Sequence, residues 1–115
     1  MKFYDKLYIS PHIRKPRQVR RDLERGKGHL MVYVLVLKTG PEGRPQLEFM
    51  HCINLQQPYY RLHPPFIVGI AEGKADAIEM VENLTNEAYR MTGSWDAAAY
   101  LASRAGTKKS RGVFH

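Results

Sequence analysis

One cysteine, Cys52, is all the chain offers for covalent cross-linking, so no internal disulfide framework can stabilise it, and a reducing compartment suits it. Long apolar runs are also missing. The longest, Leu30–Leu37, covers eight residues, far short of the roughly 20 that a membrane helix needs. The opening Met1-Lys2-Phe3-Tyr4-Asp5 lacks the basic region, apolar stretch and cleavage site of a secretory signal. These absences point to a cytosolic (cytoplasmic) chain with no membrane partner. Acidic residues are few: 11 Asp and Glu stand against 18 Lys and Arg, a net charge of +7.

Recognisable catalytic and cofactor signatures are missing too. His51 and Cys52 are neighbours on an extended segment, so they point to opposite faces and do not share an ion. His12, His29 and His63 complete no zinc spacing. Nothing beside Cys52 in sequence would depress its pKa and activate it. The stretch Gly69-Ile70-Ala71-Glu72-Gly73-Lys74-Ala75 joins a strand to a helix, where a phosphate loop would sit. A Walker loop needs four residues between its glycines and a hydroxyl after its lysine. Here three separate Gly69 from Gly73, Ala75 replaces the hydroxyl, and Glu72 opposes an anion. No metal, cofactor or catalytic residue is expected.

What is present fits one soluble domain: 115 residues, 43% hydrophobic and 25% charged. Its charge is unevenly spread. Residues 1–28 carry nine Lys and Arg against three acids; 29–72 balance; 73–105 carry three bases and five acids; 106–115 add three bases. Both ends are basic around a neutral to acidic body, a distribution that suits an anionic partner or simple solubility.

Phe3–Ser10 alternates as a half-buried strand. Pro16–Gly26 reads as a helix, with proline in its first turn and glycine at its end. Val19 and Leu23 fall on one side of it; Arg14, Arg17, Arg21 and Arg25 cluster opposite, within an arc of about 80°. His29–Lys38 is apolar on both faces. It predicts a central strand, covered twice by its own chain or once by a second copy, so that a homodimer is one expectation. Turn residues 39–45 join it to a strand over Gln46–Leu55, a Pro-rich loop spans Gln56–Pro65, and Phe66–Ala71 is a fourth strand.

Lys74–Met91 is a helix with a wide apolar stripe (Ala77, Ile78, Met80, Val81, Leu84, Thr85, Ala88, Tyr89 and Met91), closed by Gly93. Ser94 caps a last helix, Trp95–Arg104, with Trp95 among its apolar residues. Residues 106–115 read as a basic flexible tail beyond a single domain over 1–105. The fold class is α+β, two-layer, with a mainly antiparallel four-stranded sheet in a meander and helices packed on it, in the order β-α-β-β-β-α-α.

Two constellations are candidate sites. Tyr59, Tyr60, Arg61 and His63, in the Pro-rich loop, combine rings, a cation and an imidazole that could stack on a ligand or serve a partner surface; equally, the tyrosines could cap the core. The stripe Arg14, Arg17, Arg21, Arg25, flanked by Lys15, Arg20 and Lys27, could track the phosphates of nucleic acid, or be a solvated helix face.

Two resemblances add to this. The α-β-β-β-α order of residues 14–92 is similar to the double-stranded-RNA-binding domain, whose last helix opens with a lysine cluster that grips phosphates. The matching stretch here, Gly73-Lys74-Ala75-Asp76-Ala77-Ile78-Glu79, keeps only Lys74, with Asp76 and Glu79 where lysines would stand. That resemblance implies an element order and not the phosphate grip. FYDKLYIS, YYRLHPPFIVGIA and EAYRMTG together resemble a group of small uncharacterised bacterial proteins, a likeness that brings no activity with it. The expectation is a non-catalytic binding or interaction module. Nucleic-acid binding through the 14–27 helix is the alternative, and small-molecule binding or catalysis at the 59–65 loop the third reading.

Overall fold

The computed structural model describes residues 1–106; the tail expected over 106–115 lies outside them except for Gly106. In chain order the elements are β1 (Lys2–Ile9), α1 (Pro16–Glu24), β2 (Val32–Thr39), β3 (Pro45–His51), the one-turn α2 (Tyr59–Leu62), β4 (Phe66–Glu72), α3 (Lys74–Thr92) and α4 (Ala97–Gly106). Short 3-10 turns lie at Pro41–Gly43 and Cys52–Gln56. The chain is an α+β domain with one four-stranded sheet, in the expected element order with α2 added.

The strands lie in the order β1-β4-β2-β3. β4 runs parallel to β1 and antiparallel to β2, and β3 runs antiparallel to β2. The expected meander is therefore corrected: β4 pairs with β2 and β1, not with β3. The reason is burial. β4 and β2 are apolar on both faces and take the two central places; the half-polar β1 and β3 take the edges. Since β3 and β4 point the same way with β2 between them, residues 52–65 must cross back over the sheet.

Each face of the sheet has its own core. On one, Tyr4, Leu35, Leu37, Phe66 and Val68 pack against Ala77, Leu84 and Ala88 of α3 and Leu101 of α4. On the other, Val32, Val34, Val36, Ile67 and Ile70 pack against Val19 and Leu23 of α1, with Ile13 and Cys52. The expected two layers thus gain a third, thin one. Both faces of β2 are covered within one chain, so an uncovered sheet face supplies no argument for a second copy. Gly69 is needed where β4 bulges between its pairings with Leu35 and Val36. A Cβ there would lie 2.7 Å from Met80 Sδ and 3.3 Å from Leu35 Cβ.

Element ends differ from the periodicity for a common reason: the ladder runs out. β2 starts at Val32, not His29, because Val32 and Tyr33 are the first residues with partners, Glu72 and His51. Leu30 is left 86% exposed. β3 stops at His51, not Leu55, because the ladder ends at the Tyr33–His51 pair and the chain winds into the 3-10 turn at Cys52–Gln56. His51 closes the strand by donating from Nε2 to the Leu30 carbonyl (2.6 Å) and accepting the Ile53 N–H at Nδ1 (3.1 Å). α4 starts at Ala97, not Trp95. Asp96, not Ser94, accepts the first-turn N–H of Ala99 (3.0 Å), while Ser94 Oγ accepts the N–H of Asp96 (3.2 Å). Trp95 stays outside the helix and the core, stacked on Tyr89 with ring centres 4.0 Å apart.

Candidate functional site

α1 is a short helix held by its ends and one face. Pro16 opens it. Gly26, at φ 76, closes it: its N–H donates to Leu23 O (3.1 Å) and that of Lys27 to Asp22 O (2.8 Å), a Schellman pair. Val19 and Leu23 are buried against the sheet. Asp22 is buried beside them, where its carboxylate accepts hydrogen bonds from His29 Nε2 and Gln18 Nε2, both at 2.8 Å. The bond from His29 holds the Asp22 carboxyl below its ordinary value against the effect of burial, with Gln18 and the Lys27 charge acting in the same sense. That carboxylate is thus turned inward, away from the arginines. Arg14, Arg17, Arg21 and Arg25 are all exposed, and among the described residues none of them makes an ion pair. Arg20 is different: its guanidinium lies 4.4 Å from the centre of the Phe3 ring.

The 52–65 crossover lies on the same face of the sheet as α1. Cys52 is buried, donating from Sγ to His29 O (3.3 Å) and accepting the His29 N–H (3.4 Å). Gln56 Nε2 donates to Gly26 O (2.9 Å), tying the crossover to the end of α1. α2 then presents the aromatic cluster. Tyr59 stacks on His63, ring centres 4.4 Å apart, and meets Tyr60 edge-on at 5.0 Å. Tyr60 is half-buried and its hydroxyl donates to Met50 Sδ (3.5 Å). Burial, then the Glu48 charge, raises the Tyr60 phenol above its ordinary value. Tyr59 is 52% exposed, and neither tyrosine belongs to an apolar core cluster. Of the two tyrosines that could cap the core, Tyr60 rests against Met50 at the edge of the α1-side core and Tyr59 stands outside it.

Two clefts flank α1. One of about 510 Å³ separates its C-terminal end from the crossover and is lined by Lys27, Arg61, Tyr60, Gln56 and Glu24 over a floor of Leu23, Cys52 and Leu55. The other, about 560 Å³, lies at its N-terminal end, lined by His12, Arg14, Lys15 and His29, with Glu72 the one carboxylate and Ile13, Val19 and Val32 as floor. The α3 side of the sheet has the opposite character. A smaller cavity of about 280 Å³ is lined by Asp76, Glu79 and Glu87 with Tyr8, His12 and Asn83. There Tyr8 and Tyr100 both donate to Glu87 Oε2, at 2.7 and 2.6 Å. Burial, then the hydrogen bond to Glu87, pushes both phenols up. Burial alone would raise Glu87, but the bonds from Tyr100 and Tyr8, with Arg104 and Arg90 nearby, bring it below its ordinary value.

The two sequence candidates thus share one side of the molecule. Arg61 and Tyr60 line the same cleft as Lys27, which follows the arginine stripe; Tyr59 and His63 stand stacked outside it. Sequence reasoning missed the pairing of Lys27 with Arg61, because 34 positions separate them and only the crossover joins them. It missed the acidic cavity for the same reason. Among the described residues, no group of three or more His, Cys, Asp and Glu is arranged to hold a metal ion, and no helix is long and apolar enough to cross a membrane. Comparison with protein-family models, curated proteins and solved structures found no match to this chain.

Proposed function

We propose that this protein is a cytosolic, non-catalytic binding module that takes nucleic acid on the α1 side of its sheet. The observation that carries the reading is the cationic surface around α1: Arg17 and Arg21 on the helix, with Arg14 and Arg25 just beyond its two ends, are exposed and, among the described residues, without ion pairs, while the buried Asp22 carboxylate is committed to His29. Arginine suits phosphate because its planar fork binds two oxygens at once. Lys15 and Lys27 extend the positive surface into the clefts at either end. The acidic groups of the α3 side lie across the sheet, so the molecule is electrically two-sided and would approach a polyanion in one orientation.

Salt dependence tests this. Four phosphate contacts on a single strand give a slope of log K against log salt of about −3. Binding then falls about 50-fold between 50 and 200 mM salt. Arg17→Glu with Arg21→Glu removes two of those contacts and cuts the slope to about −1.4. Both positions are exposed, so the fold should be kept, with stability changed by no more than about 0.5 kcal/mol per site. Fluorescence anisotropy with labelled oligonucleotides reads all of this. A double variant that binds as the parent does, at every salt concentration, would sink the proposal.

A further inference from the structure

We infer that the ligand is single-stranded nucleic acid, with its bases stacking on the Tyr59–His63 ring pair beside the Lys27–Arg61 cleft. This rests on the polyanion reading of α1 and specifies its substrate class. A duplex shows a protein mainly phosphate and groove edges, whereas a single strand also offers the flat faces of its bases. The α1 side carries receptors for both parts of such a strand. Its cations are Arg17 and Arg21 on the helix, Arg25 just after it, and Lys27 and Arg61 in the cleft. Its stacking surface is Tyr59, half exposed and absent from both cores.

That surface is oriented before any ligand arrives. Tyr59 stacks on His63 at 4.4 Å and meets Tyr60 edge-on at 5.0 Å, and Tyr60 is in turn anchored to Met50 on β3. A ring fixed in this way loses little rotamer freedom when a base lands on it. Pro58 before α2 and Pro64-Pro65 after it restrict the backbone on both sides. Leu62, 81% exposed, adds apolar surface next to the rings. The Gln56–Gly26 hydrogen bond keeps the aromatic turn and the cationic helix end together. The base-stacking and phosphate-holding groups are different side chains, so they can be removed separately.

The experiment is anisotropy with the full chain and four labelled probes of matched length: oligo(rU), oligo(dT), a 12-base-pair duplex, and heparin as a polyanion without bases. The expected order is either single strand tighter than duplex or heparin. Tyr59→Ala with His63→Ala should weaken single-strand binding by about 5- to 100-fold and leave duplex and heparin binding unchanged. Tyr59→Phe, which keeps the ring, should bind as the parent does. Oligo(rU) and oligo(dT) differ in both the 2′-hydroxyl and the base methyl, and a preference for either supports the inference. If duplex binds as tightly as single strand, or the alanine pair leaves single-strand binding intact while Arg17→Glu with Arg21→Glu abolishes it, stacking is refuted and the α1 reading stands. If none of the four probes binds at 50 mM salt, both fall. The probe comparison on the parent protein decides the question even where the alanine pair disturbs folding.

Discussion

Removing the Glu87 side chain should cost this protein a large part of its stability, although the residue lies on the surface-facing rim of α3. The carboxylate receives two phenol hydrogen bonds on one oxygen, from Tyr8 of β1 at 2.7 Å and Tyr100 of α4 at 2.6 Å. It thereby joins three elements distant in sequence. Hydrogen bonds to a charged partner contribute about 1.5–3 kcal/mol each, and an abandoned buried hydroxyl adds its own desolvation penalty. Partial solvent access at Glu87 and Tyr8 trims this, so Glu87→Ala should lose about 3 kcal/mol. In a domain of this size that lowers Tm by about 10–15 °C. Glu87→Gln keeps an oxygen that can accept both phenols and forfeits only the charge, for about 1 kcal/mol.

The pH dependence follows from the same group. Its folded pKa lies below the ordinary 4.5, so its contribution is complete above about pH 4.5 and is lost as pH falls through the lower folded value. In Glu87→Gln that acid-side loss should shrink. Tyr8 and Tyr100 are shifted upward, so their contribution is full below the ordinary phenol value of 10.0 and is lost only as pH rises beyond it. Thermal melts by circular dichroism from about pH 3 to about pH 12 measure both effects. Equal losses for the alanine and glutamine variants would refute the argument, as would an alanine cost below about 0.5 kcal/mol.

Gly69→Ala should destabilise by about 1–3 kcal/mol, because its methyl would sit 2.7 Å from Met80 Sδ and 3.3 Å from Leu35 Cβ. Combining it with Met80→Ala should recover part of that in a denaturant double-mutant cycle, and strict additivity would argue against the contact. Gly26→Ala meets no atom within 4 Å but must hold φ 76. It should therefore cost about 1–2 kcal/mol from backbone strain alone, read by chemical denaturation, and an unchanged midpoint would contradict the assigned cap.

Element types were largely legible in the residues because they rest on local patterns. α1 and α3 follow from 3.6-residue spacing with Gly26 and Gly93 at their ends. β4 follows from an unbroken apolar run. The ends of β2, β3 and α4 were not legible, because a strand stops where its neighbour stops and a cap is settled by which oxygen reaches the free N–H. The apolar character of residues 29–31 and 53–55 suggested longer strands, but their position beyond the ladder left Leu30 and Ile53 exposed. Both candidate sites were visible as residue types; their adjacency was not. Nor was the pairing of Glu87 with Tyr8 and Tyr100, which lie 79 and 13 positions away.

By itself the sequence determined the class of the protein, the charge it carries and where that charge sits along the chain, because composition and periodicity are properties of the chain alone. Only the tertiary structure decided that β4 lies between β1 and β2. That placement sends residues 52–65 back across the sheet and lays Arg61 and Tyr60 beside Lys27. The physical reason is that strands apolar on both faces must be covered on both faces, and the connections that follow bring distant side chains together.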